Sequence, residues 1–451
     1  MPDTVLQSLA RYVAASSEAP LPAPVLHAAR RCVVDWFAAV LPGGTLPPAT
    51  SLAAALSEEV GCGRAMLFPS GQRATMRTAA LINGAASHTI EFDDIFRDAI
   101  YHPGTPVISA ALAAAQSRGA SGAAFLRAVI AGYEISTRIG VAINPAHYRY
   151  WHTTGTVGTF GAAAAAAVIL GLDAEQTLHA LANAGTLAAG LQQAFRSDAM
   201  SKPLHSGHAA ECGVMVALGA GAGVTGAPDL LEGAHGFGAA MSDKPDWSVA
   251  TAGLGVRFNI LAMTQKNHSA CGHAHAAIDS IVALRNQHSL QPRDIERIRI
   301  ATYKVALDVT GNVAPKTEFE AKFSSPYCAA VALATGRARM DAFTPQRRAD
   351  PVVLDLMRRV ELSIDAELDA AFPRQRAARV EIETRSGERF QHYSPTRKGD
   401  PDHPLSDNEI ADKFRELATP ILGAEPSERL LATLWRIDEI RDLSDLPFAP
   451  A

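Results

Sequence analysis

The sequence has few cysteines, and they show no regular spacing. There are five, at positions 32, 62, 212, 271 and 328, with no Cys-x-x-Cys pair among them. Disulfide frameworks and structural zinc sites need paired or regularly spaced cysteines, so neither is expected and a reducing compartment is indicated. The first residues also lack a cationic stretch followed by an apolar run. We therefore expect no signal peptide and predict a cytoplasmic protein.

Charge of one sign and long apolar runs are also missing from the chain. The formal net charge is -5 over 451 residues, and no block of like charges occurs. Nucleic-acid-binding and membrane-surface proteins carry basic patches, so we expect neither kind of partner. The longest apolar run, at about residues 161–172, is too short to span a bilayer. No GxGxxG or Walker loop occurs, which disfavours a nucleotide cofactor.

What the sequence does contain is apolar and helical in its first half. Apolar residues make up 48% of the chain, and 451 residues exceed what one core usually holds, so we expect two domains. Helical spacing and capping motifs run from about residue 20 to 260; Asp173 to Gln176 is one capping box, and Thr105-Pro106 suggests another helix start. Frequent alanine and glycine predict closely packed helices.

After residue 264 the pattern changes to short segments that alternate between apolar and polar residues. This alternation predicts strands, and the last two segments suggest a hairpin. The strand segments are residues 295–303, 360–364, 379–384 and 389–393. We therefore expect a mainly α fold, with a helical domain built from residues 1–263 and 401–451. An α+β domain with an antiparallel sheet is inserted at residues 264–400.

Clusters of polar residues interrupt the apolar sequence at several points. The first cluster is Glu91-Phe92-Asp93-Asp94, followed by His102-Pro103-Gly104 ahead of a predicted helix. Carboxylates beside a histidine can set protonation states for acid–base chemistry. The alternative is structural, with the aspartates capping a helix end and His102 packed in the core.

Two further clusters stand at predicted helix starts. Residues 148–156 combine Arg149 and His152 with aromatic and hydroxyl side chains, which suits a carboxylate site, although a packed turn is the alternative. Residues 201–208 include Lys202, which could bind a carboxylate or stabilise a developing enolate. An ordinary surface lysine is the alternative there.

The last clusters lie in the predicted α+β domain. Residues 266–275 hold one lysine, one cysteine and three histidines: Lys266, His268, Cys271, His273 and His275. Histidine and cysteine are zinc and iron ligands, but no second Cys/His pair stands at a conventional spacing, so we expect no metal. An acid–base or nucleophilic role of Cys271 is the competing interpretation. Residues 321–327 add Tyr327, which alone is more typical of a structural side chain.

Taken together and in this order, these segments resemble the MmgE/PrpD family. Its members include 2-methylcitrate dehydratase, cis-aconitate decarboxylase and iminodisuccinate epimerase. The resemblance extends over nearly the whole chain and depends on residues 91–94 with 102–104, 152–166, 202–205 and 321–327. It implies a helical domain made from both chain ends, an α+β lid, a homodimer and a cofactor-independent site. By comparison with the decarboxylase, it implies site residues at Asp93, His102, His152, Lys202, Lys266 and Tyr327.

Two positions depart from the decarboxylase pattern. Arg97 stands where that pattern has a threonine, and Cys271 where it has a histidine. We interpret one group of residues as binding substrate carboxylates: Lys202, Arg97, Arg149 and His273. We interpret the other group as catalytic: His102, His152, Asp93, Lys266, Cys271 and Tyr327.

The residues and the resemblance together predict a reaction class. We expect a cofactor-independent enzyme that transfers a proton at the carbon α to a carboxylate of a small di- or tricarboxylic acid. The Cys271 thiol, opposite a histidine or lysine, favours an isomerase or epimerase. Dehydration and decarboxylation of a cis-aconitate-like acid are the alternatives. A non-catalytic protein that binds small acids is the alternative of another class.

Overall fold

The chain divides into two compact units. The structure is a computed structural model that describes residues 3–197 and 199–448. The first unit joins the two ends of the chain, Met1–Gln265 with Ser406–Ala451, and the second is Lys266–Leu405. The sequence pattern places the same two transitions after residues 263 and 400, within five residues of the structural ones.

The first unit is built mainly from α-helices. They are Val5–Ala15, Ala23–Gly43, Ala49–Ala55, Met76–Thr89, Gly104–Arg118, Gly122–Ile143, Thr153–Leu170, Ala174–Thr186, Ser201–Gly221, Phe237–Met241, Ser248–Thr251, Asp407–Leu422 and Ala424–Trp435. The capping box predicted at Asp173 is present, and Ser406 forms another. The helix expected to have Thr105 as its N-cap and Pro106 as its first residue begins two residues earlier, at Gly104, because the Asp94 side chain accepts a hydrogen bond from the Gly104 amide and so caps this end.

Short 3-10 helices and a small sheet complete this unit. The 3-10 helices are Arg97–Ala99, Ala146–Arg149, Gln192–Arg196, Asn259–Ala262, Ile437–Glu439 and Leu443–Asp445. Two strands, β1 (Val60–Met66) and β2 (Arg73–Ala74), form an antiparallel pair that the sequence pattern did not predict. Its signal is weak because β1 contains two glycines and has most of its residues exposed.

Small residues bring the helices of the first unit close together, as predicted from the alanine and glycine content. A Cβ placed on Gly213 would lie 2.4 Å from Cβ of Ala162 on the neighbouring helix, and one on Gly84 would lie 2.9 Å from Cα of Gly207. Real side chains do not approach so closely, so only glycine allows these two helix pairs to pack at this distance.

One helix of this unit is long and apolar enough to cross a membrane. It is Thr153–Leu170, but 83% of that stretch is buried inside the protein. A helix that is apolar all round is expected in the core of a large helical protein as well as in a membrane. The burial indicates a core helix here.

The second unit surrounds a four-stranded sheet. Its strands are β3 (Ile295–Thr302), β4 (Val360–Ile364), β5 (Ala378–Thr384) and β6 (Arg389–Ser394). Its α-helices are His275–His288, Lys304–Thr310, Glu318–Lys322, Ser325–Thr335, Pro345–Arg348, Pro351–Met357 and Ala366–Ala371, with 3-10 helices at Pro292–Asp294 and Met340–Phe343. All four predicted strands are therefore confirmed.

The sheet is mixed, whereas the sequence pattern predicted an antiparallel one. The strand order is β4-β3-β5-β6, and β3 pairs antiparallel with β5 and parallel with β4. The chain between β3 and β4 is a long helical crossover, which is the connection that parallel strands require. Alternation along a strand reports which face is buried and says nothing of the direction of its neighbour.

Candidate active site

Two histidines contact one carboxylate oxygen in the first unit. His88 lies near the end of the helix Met76–Thr89, Asp93 lies in the following turn, and His102 precedes the helix Gly104–Arg118. Nδ1 of His88 is 2.8 Å and Nδ1 of His102 is 2.9 Å from Oδ2 of Asp93. Because a carboxylate only accepts hydrogen bonds, each Nδ1 carries a hydrogen. In a neutral ring this leaves Nε2 unprotonated and able to act as a base.

The turn that presents these groups has an unusual backbone. Glu91 and Ile100 have φ values of 58° and 50°, in the left-handed region that residues other than glycine seldom adopt. Each such residue costs roughly 1–3 kcal/mol and persists where the surroundings hold it. Here the Ile95 amide donates to the Thr264 carbonyl at 2.8 Å, and the reverse bond is also 2.8 Å. The turn is thus held in one conformation from outside.

Two more histidines extend this pair into a row. The rings of His88 and His152 stack at a centroid distance of 5.6 Å and an angle of 15°. His152 in turn places its Nδ1 3.1 Å from Nδ1 of His205. The rings of His88 and His102 are 4.8 Å apart. Four imidazoles are therefore contiguous, with Asp93 between the first two.

Burial keeps two rings of this row neutral. Desolvation lowers the pKa of His152 well below its ordinary value, and the neighbouring His88, His205 and Lys202 lower it further. Desolvation, followed by the charges of His88, His208 and Lys202, lowers the pKa of His205 to about 4. At neutral pH the 3.1 Å contact between these rings is therefore a hydrogen bond between neutral imidazoles, one donating and one accepting.

A buried ion pair lies beside the row. Lys202 stands in the first turn of the helix Ser201–Gly221, and its ammonium donates to the Glu91 carboxylate. Both side chains are buried. The Lys202 nitrogen also lies 5.6 Å from the centre of the Phe195 ring, which meets His152 edge-on. A cation and an imidazole thus both lie close to one aromatic ring.

Asp94, next to Asp93, has a different environment. Its Oδ1 accepts from the Gly104 amide at 2.9 Å, and its Oδ2 accepts from the Tyr133 hydroxyl at 2.7 Å. Complete burial is the main cause that raises the pKa of Asp94 to about 8, although both hydrogen bonds oppose the shift. At neutral pH Asp94 is mostly protonated and neutral.

The two arginines predicted to bind substrate lie in different settings. Arg97 is mostly buried in the short helix before His102, and its Nε is 3.5 Å from a carboxylate oxygen of Asp98. Arg149 is exposed and lies over the ring of Tyr150, which is 59% exposed. This is the arrangement of a surface side chain. In the 3-10 helix Ala146–Arg149 the buried residue is His147. Its Nδ1 donates to the Met241 carbonyl at 2.9 Å, and its Nε2 lies 2.8 Å from the Thr156 hydroxyl.

The remaining predicted residues belong to the second unit. Lys266 is fully buried at its start, and Cys271 is buried with its amide donating to the Lys322 carbonyl at 2.9 Å. His273 places Nδ1 2.7 Å from the Tyr303 hydroxyl. Tyr303 was not predicted from the sequence, and its ring stacks on Phe372.

Tyr327 uses its hydroxyl within the second unit. It is buried, and the hydroxyl donates to the Ala342 carbonyl at 2.6 Å. A buried hydroxyl that donates its hydrogen to a backbone carbonyl is typical of a structural side chain, which was the alternative interpretation of Tyr327.

The sequence matches the models of two domains of one protein family. Residues 7–250 match the model of the MmgE/PrpD N-terminal domain, and residues 268–439 match that of the MmgE/PrpD C-terminal domain. The chain belongs to the MmgE/PrpD family. It is therefore an enzyme of the MmgE/PrpD type, as the sequence motifs predicted.

The names of three relatives of this MmgE/PrpD enzyme contain the term cis-aconitate decarboxylase. The chain is 27% identical to the cis-aconitate decarboxylase-like protein oryM of Aspergillus oryzae, over 98% of this chain and 96% of that protein. It is 25% identical to a cis-aconitate decarboxylase of Aspergillus terreus, over 94% of this chain and 91% of the relative. The human cis-aconitate decarboxylase is 29% identical over 82% of this chain and 78% of its own length.

Within the helical unit of this MmgE/PrpD enzyme, the residues predicted from separate segments form one cluster. Asp93, His102, His152 and Lys202 are linked through three further residues. The prediction missed His88, whereas Glu91 and His205 lie in the predicted clusters and had no assigned role. Glu91 and His205 stand within three residues of predicted ones, so their position was the available signal. His88 lies on a helix, where a single histidine is usually a packed core residue.

Three of these side chains could be considered as metal ligands. The candidate atoms of His88, Asp93 and His102 lie within 4.8 Å of one another. Ligands about 2.0–2.1 Å from a tetrahedral zinc would lie about 3.3 Å apart. The two Nδ1 atoms instead lie at hydrogen-bonding distance from the carboxylate oxygen. We interpret the group as one that shares protons and assign no metal to it.

Proposed function

We propose that this MmgE/PrpD enzyme is a cofactor-independent lyase that decarboxylates a small unsaturated tricarboxylic acid resembling cis-aconitate. The observation that carries the proposal is the row of imidazoles backed by Asp93 and flanked by the Lys202 ammonium. The names of the relatives support the same reaction and favour it over the epimerisation that Cys271 suggested.

The chemistry begins with loss of carbon dioxide. In such a substrate one carboxylate is attached to a CH₂ group next to a carbon–carbon double bond. As the bond to this carboxylate breaks, its electron pair forms a new double bond, and the original double bond shifts to leave a carbanion α to another carboxylate. That carbanion is an enolate, and its charge must be stabilised by cations or hydrogen-bond donors. Lys202 is the buried cation placed for this role.

The reaction ends when the enolate carbon takes up one proton. We assign this step to His102, because its Nδ1 faces Asp93, which stabilises the imidazolium form. The net change is one trianion plus one proton giving carbon dioxide and a dianion with a terminal methylene group. His152 is held neutral by its burial and is suited to donate a hydrogen bond to a substrate carboxylate.

The test is to incubate the purified protein with cis-aconitate in deuterated water and follow proton NMR spectra and carbon dioxide release. Decarboxylation gives carbon dioxide and a product with one deuterium at the carbon that took up the proton. Exchange of an α-hydrogen without a change in composition would indicate an epimerase, tested with hydroxy or amino dicarboxylates. Addition of water to the double bond would indicate a dehydratase running in reverse, and no turnover with saturable binding would indicate a binding protein. Each of the last three outcomes, exchange, hydration and binding without turnover, contradicts the proposal.

Cys271 keeps epimerisation as the second candidate. An epimerase needs acid–base groups on both faces of the substrate carbon, and a thiol can be one of them. The variant Cys271→Ser decides its part: unchanged turnover removes the thiol from the mechanism, whereas loss of turnover with retained binding supports it. Cys328→Ser is the matched control, since Cys328 is a buried cysteine of the same unit.

The state and location of the enzyme are proposals as well. We propose a cytoplasmic homodimer without nucleic-acid or membrane partners, as the resemblance and composition implied. Light scattering coupled to size-exclusion chromatography measures the mass directly, against 47.6 kDa for one chain. A monomeric mass with full activity would contradict the dimer.

A further inference from the structure

Of the two histidines that contact Asp93, His88 has the better aligned hydrogen bond to the carboxylate. Its Nδ1–H donates to Oδ2 at 2.8 Å in good alignment. His102 meets the same oxygen at 2.9 Å, but its Nδ1–H is poorly aligned with it. His88 therefore donates the better aligned hydrogen bond to this oxygen, and His102 faces the same oxygen.

His88 is also the more deeply buried of the two rings. The side chain of His88 is completely buried, and that of His102 is 16% exposed. Among the described residues, Nε2 of His88 has no hydrogen-bond partner. An unprotonated Nε2 is less costly to bury than an N–H would be, so His88 is fixed with its hydrogen on Nδ1. A buried ring with one fixed tautomer is suited to orient a neighbour and not to meet substrate.

His88 also contacts His152, the proposed hydrogen-bond donor to substrate. Its ring stacks on His152 at 5.6 Å and 15°. Phe195 also contacts the His152 ring, edge-on at 4.9 Å, and Nδ1 of His152 is engaged with His205. One buried imidazole thus limits the motion of both His102, through Asp93, and His152, through its ring face.

We propose that His88 is a positioning residue of this active site, which holds the Asp93 carboxylate for His102 and supports the ring of His152. Its catalytic consequence rests on the function proposed above, whereas its effect on His102 does not. When His88 is lost, the Asp93 carboxylate loses the hydrogen bond that orients its Oδ2 towards His102. The preference of His102 for a hydrogen on Nδ1 then weakens, and its two neutral tautomers mix.

Three variants separate the hydrogen bond from the mere presence of a side chain. His88→Asn places an N–H close to the position of Nδ1, His88→Gln places one near Nε2, and His88→Leu has none. We expect His88→Asn to keep kcat within about threefold, and the other two to lower it about tenfold or more with KM little changed. Positioned acid–base groups contribute about 10²–10⁴-fold, so partial misorientation has an effect of this size. His179→Leu, which removes an imidazole bonded only to Gly226 nearby, is the control.

The tautomer of His102 gives a readout that needs no turnover. Nitrogen NMR of histidine-labelled protein, recorded at a pH at which the His102 ring is neutral and assigned with a His102→Asn sample, should show His102 with its hydrogen on Nδ1 in the parent and in His88→Asn. His88→Gln and His88→Leu should show a mixture of the two His102 tautomers.

An unchanged His102 tautomer in these two variants overturns the proposal. Equal loss of kcat in His88→Asn and His88→Gln variants that fold normally also overturns it. If His88→Leu fails to fold, the contrast between Asn and Gln decides. If the parent turns over no substrate but the tautomers change as expected, only the proposed function fails.

Discussion

His152 and His205 face each other with their Nδ1 atoms 3.1 Å apart. Two N–H groups pointing at one another would repel, as would two lone pairs, so one ring donates and the other accepts. The lowered pKa values of both rings fit this arrangement, because protonation would place a second hydrogen in the contact. Each ring therefore dictates the tautomer of the other.

This contact predicts that His205 can be replaced by a residue that both donates and accepts. We expect His205→Asn to keep most of the activity, and His205→Leu to lower kcat about tenfold or more, because a misoriented His152 loses part of the hydrogen bond that it donates to substrate, and removing such a donor costs about 10²–10³-fold. Steady-state kinetics with cis-aconitate measures both. His208→Leu, one turn further along the same helix, is the control. Equal activity of the Asn and Leu variants would show that the contact is not needed.

The raised pKa of Asp94 predicts a pH-dependent difference in stability. Its folded-state pKa of about 8 lies above the unfolded value of 3.8, so the folded protein retains a proton that the unfolded chain releases. The stability associated with Asp94 is complete below the unfolded value and is lost as pH rises towards 8. The slope approaches about 1.4 kcal/mol per pH unit.

Asp94→Asn isolates this effect, because an amide resembles the protonated acid and does not titrate. Denaturant unfolding of both proteins at several pH values between about 5 and 8 gives the difference in free energy of unfolding. We expect the parent to lose stability relative to the variant as pH rises, with a difference growing by about 1 kcal/mol or more per unit. A constant difference over this range would mean that Asp94 is ionised throughout.

Much of this arrangement could be predicted from the sequence, and the exceptions have physical causes. Asp93, His102, His152 and Lys202 are polar residues in an apolar helical context, where burial of polar groups needs a reason. His88 gave no such signal, because its role depends on a turn in which Glu91 adopts a left-handed conformation. Local sequence does not report that conformation for a glutamate, so the approach of His88 to Asp93 is visible only in the fold.

The same limit explains the sheet of the second unit. The alternating pattern of residues 378–384 predicts a strand with one buried face, and Ala378, Val380 and Ile382 are buried. Whether β3 and β4 run parallel depends on the path of the helical chain between them. Single-residue patterns carry no record of that path.

The spacing of His88, Asp93 and His102 predicts that catalysis does not depend on a metal. Their potential ligand atoms are loosely grouped and contact one another at hydrogen-bonding distance. We expect kcat to be unchanged after exhaustive dialysis against a strong chelator, with metal content checked by elemental analysis. Loss of activity that zinc or another divalent ion restores would contradict this and would reassign these three residues as ligands.

The buried pair of Lys202 and Glu91 predicts opposite results for stability and activity. Removing one partner leaves a buried charge without its counterion, which typically costs about 3–5 kcal/mol. We expect Lys202→Met and Glu91→Gln each to lower the free energy of unfolding by a few kcal/mol, and the double variant to lose less than their sum.

Activity should depend on the presence of a cation at position 202 and not on stability. Lys202→Met and the double variant should therefore both lose about 10²-fold or more in kcat, because the enolate has lost its cation. Lys202→Arg keeps the cation and is the control. If the double variant regains activity together with stability, Lys202 acts only as a structural partner of Glu91, and the cation for the enolate must come from another residue.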